Sequence, residues 1–401
     1  MSQLVRKISL ISPLSFFLSP LLSFIAACSN LRSWLNGLTF ALFYGFFGYA
    51  HSFIDPRPDA YRKMLSFEAF PDTTSYGDVI RQYISGDISD VIERLLYVFV
   101  RSITTDAHIL LLIVGFIGGF FLYLVFRKII EYCDADSGTE FFTIIFLMII
   151  LHSPAVIGGI RFFLAFPIFL YGTFAFLIDK RNTGIFWLII SLFAHYSFIV
   201  SVFLVLFLRF YRGNINALWW CAISLCIISI FLNATSFGQL FENLNIGEYN
   251  QKISSRAELY SSAKSVARFN ESLTTHLMKI QQYITRLFVL IFLLAIKRNA
   301  LENTMRSFDV NLYRITLAFL SLGYFFVGFN VVGERYLLPG IFLLLILLYR
   351  LNSYLDINVF KNMLRYSLVF FVFNIGWVLF NSYVEIDLRY FFYPLPLFMI
   401  L

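Results

Sequence analysis

Three arginines in this sequence lie at the edges of strongly apolar stretches. A charge near hydrocarbon is energetically costly, so these residues are candidates for a function. Arg161 follows Gly158–Ile160, Arg286 begins a second apolar stretch, and Arg335 follows Glu334 ahead of a third. The planar guanidinium group of arginine binds phosphate oxygens through two parallel hydrogen bonds. Several arginines with few grouped carboxylates therefore favour a phosphate or pyrophosphate ligand over a metal ion.

Side chains that accept or donate protons lie near the same apolar edges. His195 lies in the short segment Ala194–Tyr196, and Asp59 belongs to a charged cluster that also contains Arg57. Imidazole and carboxylate groups are the usual general acids and bases. We take His195, Asp59 and Glu334 as candidates for proton transfer, and Arg57 as a further candidate for binding an anion.

Each of these residues also has a purely structural interpretation. An arginine at a helix end can extend to the lipid head groups, and His195 can be a hydrogen-bonded packing residue. Glu334 can form a local ion pair with Arg335, and the cluster around Asp59 can be a solvated turn. The functional interpretation rests on the whole set, because one membrane topology brings these residues to the same side.

The composition indicates that much of the surface of this protein contacts lipid. Of its 401 residues, 59% are apolar and only 14% are charged, and the mean hydropathy is +0.76. An ordinary soluble domain is about 45–50% apolar and about 25% charged. A soluble globular enzyme is therefore excluded, and the sequence predicts an all-α polytopic integral membrane protein. The net charge of +7 includes no basic run of the nucleic-acid-binding kind, so we expect no nucleic acid partner.

Membrane-spanning helices need about 20 mostly apolar residues. By this rule we expect about ten to twelve transmembrane or re-entrant helices in one membrane domain, residues 1–401. Two long polar segments, 55–106 and 234–283, are too charged for hydrocarbon and should be aqueous loops or amphipathic caps. The apolar stretches are 8–28, 34–54, 107–126, 140–157, 162–178, 185–208, 217–233, 284–296, 310–329, 338–350 and 363–383.

The distribution of basic residues sets the orientation of these helices. If 185–208 forms two half-length helices that meet at Ala194–Tyr196 and re-enter the membrane, the short basic loops all fall on one side, which the positive-inside rule assigns to the cytoplasm. Arg161, His195, Arg335 and both long loops then share the opposite side. Irregular backbone at membrane depth needs a protein or water-filled surrounding, so His195 should border a cavity.

Several enzyme classes lack their sequence signatures here. The chain contains no Gly-rich nucleotide loop, no His-Glu-x-x-His pair and no Gly-x-Ser-x-Gly segment. These absences argue against a nucleotide-driven pump and against the common metalloprotease and serine hydrolase mechanisms.

Four segments of the chain carry recognisable motifs: Gly158-Gly159-Ile160-Arg161-Phe162-Phe163-Leu164-Ala165, Asp179-Lys180-Arg181, Phe193-Ala194-His195-Tyr196-Ser197 and Glu334-Arg335-Tyr336. Together they resemble the EpsG/Wzy group of bacterial polysaccharide polymerases. That group carries a G-x-R-x-x-x-A helix start, a basic turn, an F-H-x-S element and a late R-Y/F signal. Here Ala194 separates Phe193 from His195, and Phe162 stands where a polar residue is often found.

The resemblance implies a GT-C-like glycosyltransferase of the bacterial inner membrane with two long periplasmic loops and its active site facing the periplasm. Such an enzyme joins undecaprenyl-pyrophosphate-linked oligosaccharide repeat units into O-antigen or related polysaccharide and releases undecaprenyl pyrophosphate. It works among membrane lipids without a cofactor or a metal, and its expected partners are a chain-length regulator, a flippase and a ligase. The residues that we assign to the pyrophosphate are Arg161, Arg335, Arg286 and Arg57, and those assigned to catalysis are His195, Asp59 and Glu334.

Two other functions remain open from the sequence. A lipid-linked oligosaccharide flippase also needs basic residues in a membrane cavity, although the sequence has no internal repeat of the kind that flippase halves would give. A membrane O-acyltransferase acting on the same polysaccharide would need a histidine on a path from the cytoplasm, whereas His195 is predicted near the opposite side.

Overall fold

The computed structural model of the chain describes residues 15–53, 59–133, 139–211, 213–231, 273–298, 305–327, 331–355 and 357–400. Within these residues the protein is nearly all helical, and its one extended pairing is an isolated bridge between His51 and Ile386. Four described helices are long and apolar enough to cross a membrane: Ala107–Cys133, Ile160–Ile178, Lys279–Arg298 and Arg335–Ser353. The prediction of an all-α polytopic membrane protein is confirmed.

Contacts divide the chain into two compact units, the first made of Met1–Arg209 with Ile375–Leu401 and the second of Phe210–Asn374. The described helices of the first unit are α1 (Pro20–Cys28), α2 (Trp34–Tyr49), α3 (Asp59–Glu68), α4 (Tyr76–Ile84), α5 (Val91–Arg101), α6 (Ala107–Cys133), α7 (Thr139–Leu151), α8 (Ile160–Thr173), α9 (Thr183–Ala194) and α10 (Ile199–Phe210). Those of the second are α11 (Ile215–Ile228), α12 (Leu273–Arg298), α13 (Ser307–Phe326), α14 (Val331–Tyr354), α15 (Asn358–Arg365) and α16 (Ser367–Phe370). The chain then continues as α17 (Val372–Glu385), α18 (Arg389–Phe392) and α19 (Leu395–Ile400).

Glycines allow helices α2 and α6 to pack at very short range. A Cβ atom added to Gly48 on α2 would lie 2.2 Å from the carbonyl oxygen of Leu111 on α6. In the reverse direction, a Cβ on Gly115 of α6 would lie 2.3 Å from the carbonyl oxygen of Tyr44. Lipid tails are as apolar as the helices, so association depends on such close packing of small residues.

The polar segment 55–106 contains helices α3, α4 and α5, which are short and amphipathic. The second predicted loop, 234–283, lies mostly outside the described residues, and α12 begins at Leu273 within it. In the second unit, α13 and α14 form an antiparallel pair in which a Cβ on Gly323 would lie 2.5 Å from the Cα of Leu337. A buried ion pair joins Arg350 of α14 to Asp309 of α13.

Helices α6, α8 and α10 end at a shared polar cluster. Lys128 on α6 contacts Asp179, which follows α8, with 2.9 Å between Nζ and Oδ2. Arg209 on α10 donates hydrogen bonds to the carbonyl oxygens of Phe176 at 3.0 Å and Lys180 at 3.3 Å. Arg161 stands at the opposite end of α8. One end of this span thus carries the basic turn and the other carries Arg161; which end faces the cytoplasm stays a prediction.

The chain breaks between α9 and α10 at His195. Its backbone is extended, with φ −156° and ψ 110°, and a 3-10 turn over Tyr196–Phe198 leads into α10. Each helix has 12 residues, about 18 Å in length, which is too short to cross a bilayer. The insertion of this pair into the membrane from one side stays a prediction.

The α2–α6 packing predicts the effect of a larger side chain at its centre. We expect Gly115→Val to lower the melting temperature of the detergent-solubilised protein, because overpacking a tight interface costs about 1–3 kcal/mol. Gly376→Ala is the matched control, since a Cβ there meets nothing within 4 Å. Size-exclusion profiles after heating give both melting temperatures, and equal values for the two variants would contradict this account of the interface.

Candidate functional site

The polar helices α3 to α5 have local sequence reasons to begin where they do. Ser75 and Asp78 form a capping box at the start of α4, in which the Ser75 hydroxyl accepts the Asp78 N–H at 3.2 Å and the Asp78 carboxylate accepts the Ser75 N–H at 2.9 Å. Asp90 and Glu93 have the spacing of a capping box at the start of α5. The Asp90 side chain nevertheless makes no capping hydrogen bond, because its carboxylate contacts Arg161 and the Tyr196 N–H instead.

Gly158 brings helix α3 against the beginning of α8. A Cβ on Gly158 would lie 2.5 Å from the backbone nitrogen of Ala60 and 2.8 Å from its Cα. The first turn of α3 therefore rests directly on the turn that precedes Arg161. This contact explains why a glycine stands three residues before the arginine, and it positions Lys63 of α3 near the same place.

Asp90 connects three distant parts of the first unit. Its Oδ2 lies 2.6 Å from Nη1 of Arg161, and its Oδ1 accepts the backbone N–H of Tyr196 at 2.8 Å. The same Oδ1 lies 3.4 Å from Nδ1 of His195. One buried carboxylate thus holds the first turn of α8 and the break between α9 and α10.

Glu93 lies one helical turn after Asp90 and gathers a second set of contacts. Its carboxylate pairs with Lys63, accepts a hydrogen bond from the Tyr97 hydroxyl at 2.9 Å, and lies 3.4 Å from Nε of Arg161. Burial, together with the charge of Glu93, raises the pKa of Tyr97, so this hydroxyl is a hydrogen-bond donor at neutral pH. The guanidinium of Arg161 therefore pairs with two carboxylates, and the Arg161 side chain remains 42% exposed.

These side chains line a cavity of about 240 Å³. Its walls carry three cationic and three acidic groups, which suit a ligand that is anionic in one part and rich in hydroxyl groups in another. Burial acts to raise the pKa of Asp90, but hydrogen bonds from His195 and the Tyr196 N–H and the charges of His195 and Arg161 outweigh it and lower the pKa to about 2. Asp90 is therefore ionised at any physiological pH. The lining residues are Lys63, Ser66, Asp87, Ile88, Ser89, Asp90, Glu93, Arg94, Tyr97 and Arg161.

The structure brings together two of the residues singled out in the sequence, Arg161 and His195, through Asp90. His195 is only 3% exposed, with Phe162 and Phe198 around its ring. Asp59 is placed differently: its side chain is 59% exposed and pairs with Arg62.

The four other candidates are Arg286, Arg335, Arg57 and Glu334. Arg286 and Arg335 both belong to the second unit. There Arg286 is buried, donates to the Ser229 hydroxyl at 3.1 Å and lies over the ring of Tyr283. Arg335 is half-buried on α14. Arg57 and the side chain of Glu334 lie outside the described residues, so their proposed roles stay predictions.

Sequence reasoning missed Asp90, Glu93 and Lys63. Ionisable residues are ordinary in a polar segment, and nothing local distinguishes these from their neighbours. The one available signal was the capping-box spacing of Asp90 and Glu93, which predicts a helix start and not a partner 71 residues away. In the part of the chain that the structure describes, no three His, Cys, Asp or Glu side chains are grouped as metal ligands.

The contacts of Asp90 predict a pH-dependent contribution to stability. Because its pKa falls from 3.8 to about 2 on folding, ionised Asp90 stabilises the protein above pH about 4, and this stabilisation is lost as the pH falls towards 2. We expect Asp90→Asn to cost about 1–2 kcal/mol at pH 7 and less at pH 3. Thermal unfolding at pH 7 and at pH 3 measures this loss of stability, and Asp72→Asn, at an exposed side chain, is the control. A melting temperature unchanged at pH 7 would contradict a structural role for the carboxylate.

Comparison with known proteins agrees with the motifs around this site. No curated protein and no solved structure matches the chain. The sequence model of the EpsG family matches residues 64–395, which include Asp90, Glu93, Arg161 and His195. The chain therefore belongs to the EpsG family.

Proposed function

We propose that this protein is a polysaccharide polymerase that joins oligosaccharide repeat units carried on undecaprenyl pyrophosphate, at the periplasmic face of the inner membrane. Membership of the EpsG family supports a polysaccharide polymerase-type role. The observation that carries the finer proposal is the position of Arg161. It lies at the end of a candidate membrane span, in the wall of a charged cavity, where a pyrophosphate can bind while its lipid tail stays in the bilayer.

Two features of the site favour an anion beside Arg161. The guanidinium group stands in the first turn of α8, and the N-terminus of a helix itself attracts negative charge. Lys63 and Arg94 add two further cations to the same cavity. Asp90 and Glu93 contact Arg161, and Glu93 contacts Lys63. An arriving pyrophosphate would compete with these carboxylates for the same donors.

Glu93 is the carboxylate best placed to accept the proton of the acceptor hydroxyl. It lines the cavity in contact with both Arg161 and Lys63, whereas the lining residue Asp87 contacts Ser85. Asp59 lies on the surface, and His195 is not part of the cavity wall. Asp90 is a weak base because contacts from Arg161, His195 and Tyr196 hold it ionised. When the pyrophosphate draws Arg161 and Lys63 away, the Glu93 carboxylate is left to accept a hydrogen bond, and then the proton, from the acceptor hydroxyl. The direct proton-accepting roles of His195, Asp59 and Glu334 stay predictions.

The reaction then balances without an added reagent. The acceptor oxygen of the incoming unit attacks the anomeric carbon of the chain that is linked to pyrophosphate, and its proton passes to Glu93. The bond between that carbon and the phosphate oxygen breaks, and undecaprenyl pyrophosphate leaves with the electron pair. Arg161 and Lys63 stabilise the charge on the leaving group, and Glu93 returns its proton to water.

The other two residues of the cluster have supporting roles in this proposal. Asp90 orients Arg161 and fixes His195, because a ring hydrogen-bonded to a carboxylate keeps one orientation. The pyrophosphate-binding roles of Arg286 and Arg335, which belong to the second unit, stay predictions.

The first test replaces Arg161 in the host from which the gene has been deleted. Wild type should restore the ladder of surface polysaccharide on a gel, and Arg161→Ala should leave a single repeat unit at normal membrane levels. Arg161→Lys should restore the ladder only weakly, because lysine lacks the two-pronged guanidinium geometry. Arg81→Ala is the control, since that side chain is 79% exposed and pairs only locally with Asp78.

Other outcomes of this experiment contradict the proposal in distinct ways. A deletion strain in which no repeat unit reaches the surface would favour a flippase. A ladder that persists without its acyl groups would favour an O-acyltransferase. Full activity of Arg161→Lys would overturn the two-pronged contact with phosphate.

The second test replaces Glu93. Glu93→Gln keeps an oxygen that can accept the Tyr97 hydroxyl but removes the base, so we expect turnover to fall by about 10²- to 10⁴-fold with normal protein levels. Glu68→Gln on the exposed surface of α3 is the matched control. A normal ladder in Glu93→Gln would exclude Glu93 as the proton acceptor and leave the role of Arg161 unaffected.

A further inference from the structure

Helix α4 carries an apolar arc that the protein covers on one side only. At 100° per residue, Val79, Tyr83, Tyr76, Ile80 and Ile84 follow one another around one side of this helix. The opposite side carries the polar residues Asp78, Arg81 and Gln82. A short helix with a continuous apolar arc facing a charged one has the pattern of a helix that lies at an interface.

The inner half of the arc packs against the protein. Val79 is fully buried. The ring of Tyr83 contacts that of Phe193 on α9 edge to face, with 5.6 Å between the ring centroids. These contacts fix which way the helix is turned.

The outer half of the arc is open. Ile80 is 48% exposed, Ile84 is 78% exposed and Tyr76 is 47% exposed. Removing an isoleucine side chain from water is favourable, so two open isoleucines beside a packed edge indicate that another apolar phase covers them.

The exposed surface of α9 and α10 next to the arc indicates which apolar phase covers these isoleucines. Phe193 belongs to α9, one of the shorter apolar helices of the first unit. Exposed apolar residues continue along α9 and α10, with Ile189 44%, Ile199 47% and Phe203 65% exposed. Such a surface on a membrane protein faces lipid, and the contact of Tyr83 with Phe193 joins the open arc of α4 to its edge.

We infer that α4 is an interfacial helix, which inserts Ile80 and Ile84 among the lipid chains just below the head groups and keeps Asp78 and Arg81 in water. The local ion pair between Arg81 and Asp78, with 2.5 Å between Nη2 and Oδ1, lies on the water side.

This placement also has a consequence for the substrate, which rests on the proposed function. The segment after α4 supplies Asp87, Ile88 and Ser89 to the wall of the cavity. A helix anchored in the interface holds that wall at head-group depth, the level at which the pyrophosphate of a membrane-embedded lipid lies. The donor then reaches Arg161 by lateral movement in the membrane.

The inference is tested with a fluorescent probe in full-length protein reconstituted into lipid nanodiscs. Cys221, which is the exposed native cysteine among the described residues, is changed to Ser, and the buried Cys28, Cys133 and Cys226 are retained. Ile80→Cys, Ile84→Cys and Arg81→Cys are then labelled separately with bimane, and the Cys221→Ser parent gives the labelling background. Quenching is measured with lipids that carry a nitroxide near the head group and with iodide in water.

We expect nitroxide lipids to quench the probes at positions 80 and 84 several-fold more than the probe at position 81, and iodide to show the reverse order. Strong iodide quenching at all three positions would place α4 in water and overturn the inference. Weak quenching of positions 80 and 84 by both reagents would show that another part of the protein covers the arc, which would also overturn it. Neither result changes the polysaccharide ladder expected for Arg161→Ala, so failure of this inference is distinguishable from failure of the proposed function.

Discussion

The contacts of one carboxylate, that of Asp90, set the arrangement of the first unit. Leaving a buried carboxylate without partners is costly, and the guanidinium of Arg161, the Tyr196 N–H and His195 all point at it. These donors come from the start of one membrane span and from the break between two short helices. Removing Arg161 would leave the buried carboxylate without its ionic partner, so α5, the start of α8 and the break between α9 and α10 hold their positions together.

Close helix packing makes this polar arrangement possible. Gly115 lets α6 approach α2, and Gly158 lets α3 rest on the turn before Arg161. At the other end of α8, Lys128 and Asp179 tie that helix to α6. Gly118 of α6 packs against Phe163 of α8. The span is therefore fixed at both ends by charge and along its length by close packing, which gives Arg161 a defined position relative to Glu93 and Lys63.

The sequence was sufficient for the fold class and for part of the site. Hydropathy predicts the helices because lipid demands long apolar segments, and Arg161 and His195 stood out because charges at apolar edges are unusual. Asp90 and Glu93 did not, because carboxylates are common in a polar segment and their importance arises from a tertiary contact between residues 90 and 161. Asp59 was favoured by its neighbours in sequence, yet α3 presents it to the surface and turns Lys63 towards the cavity.

The ion pair between Asp309 and Arg350 bears on how the chain is made. Asp309 lies in the first turn of α13 and is fully buried, and Arg350 lies within the candidate span of α14. An unpaired charge in a membrane helix is costly, and Asp309 and Arg350 carry charges of opposite sign on adjacent helices. The pair is neutral only when both helices are present, so α13 and α14 are favoured to leave the translocation machinery as one hairpin.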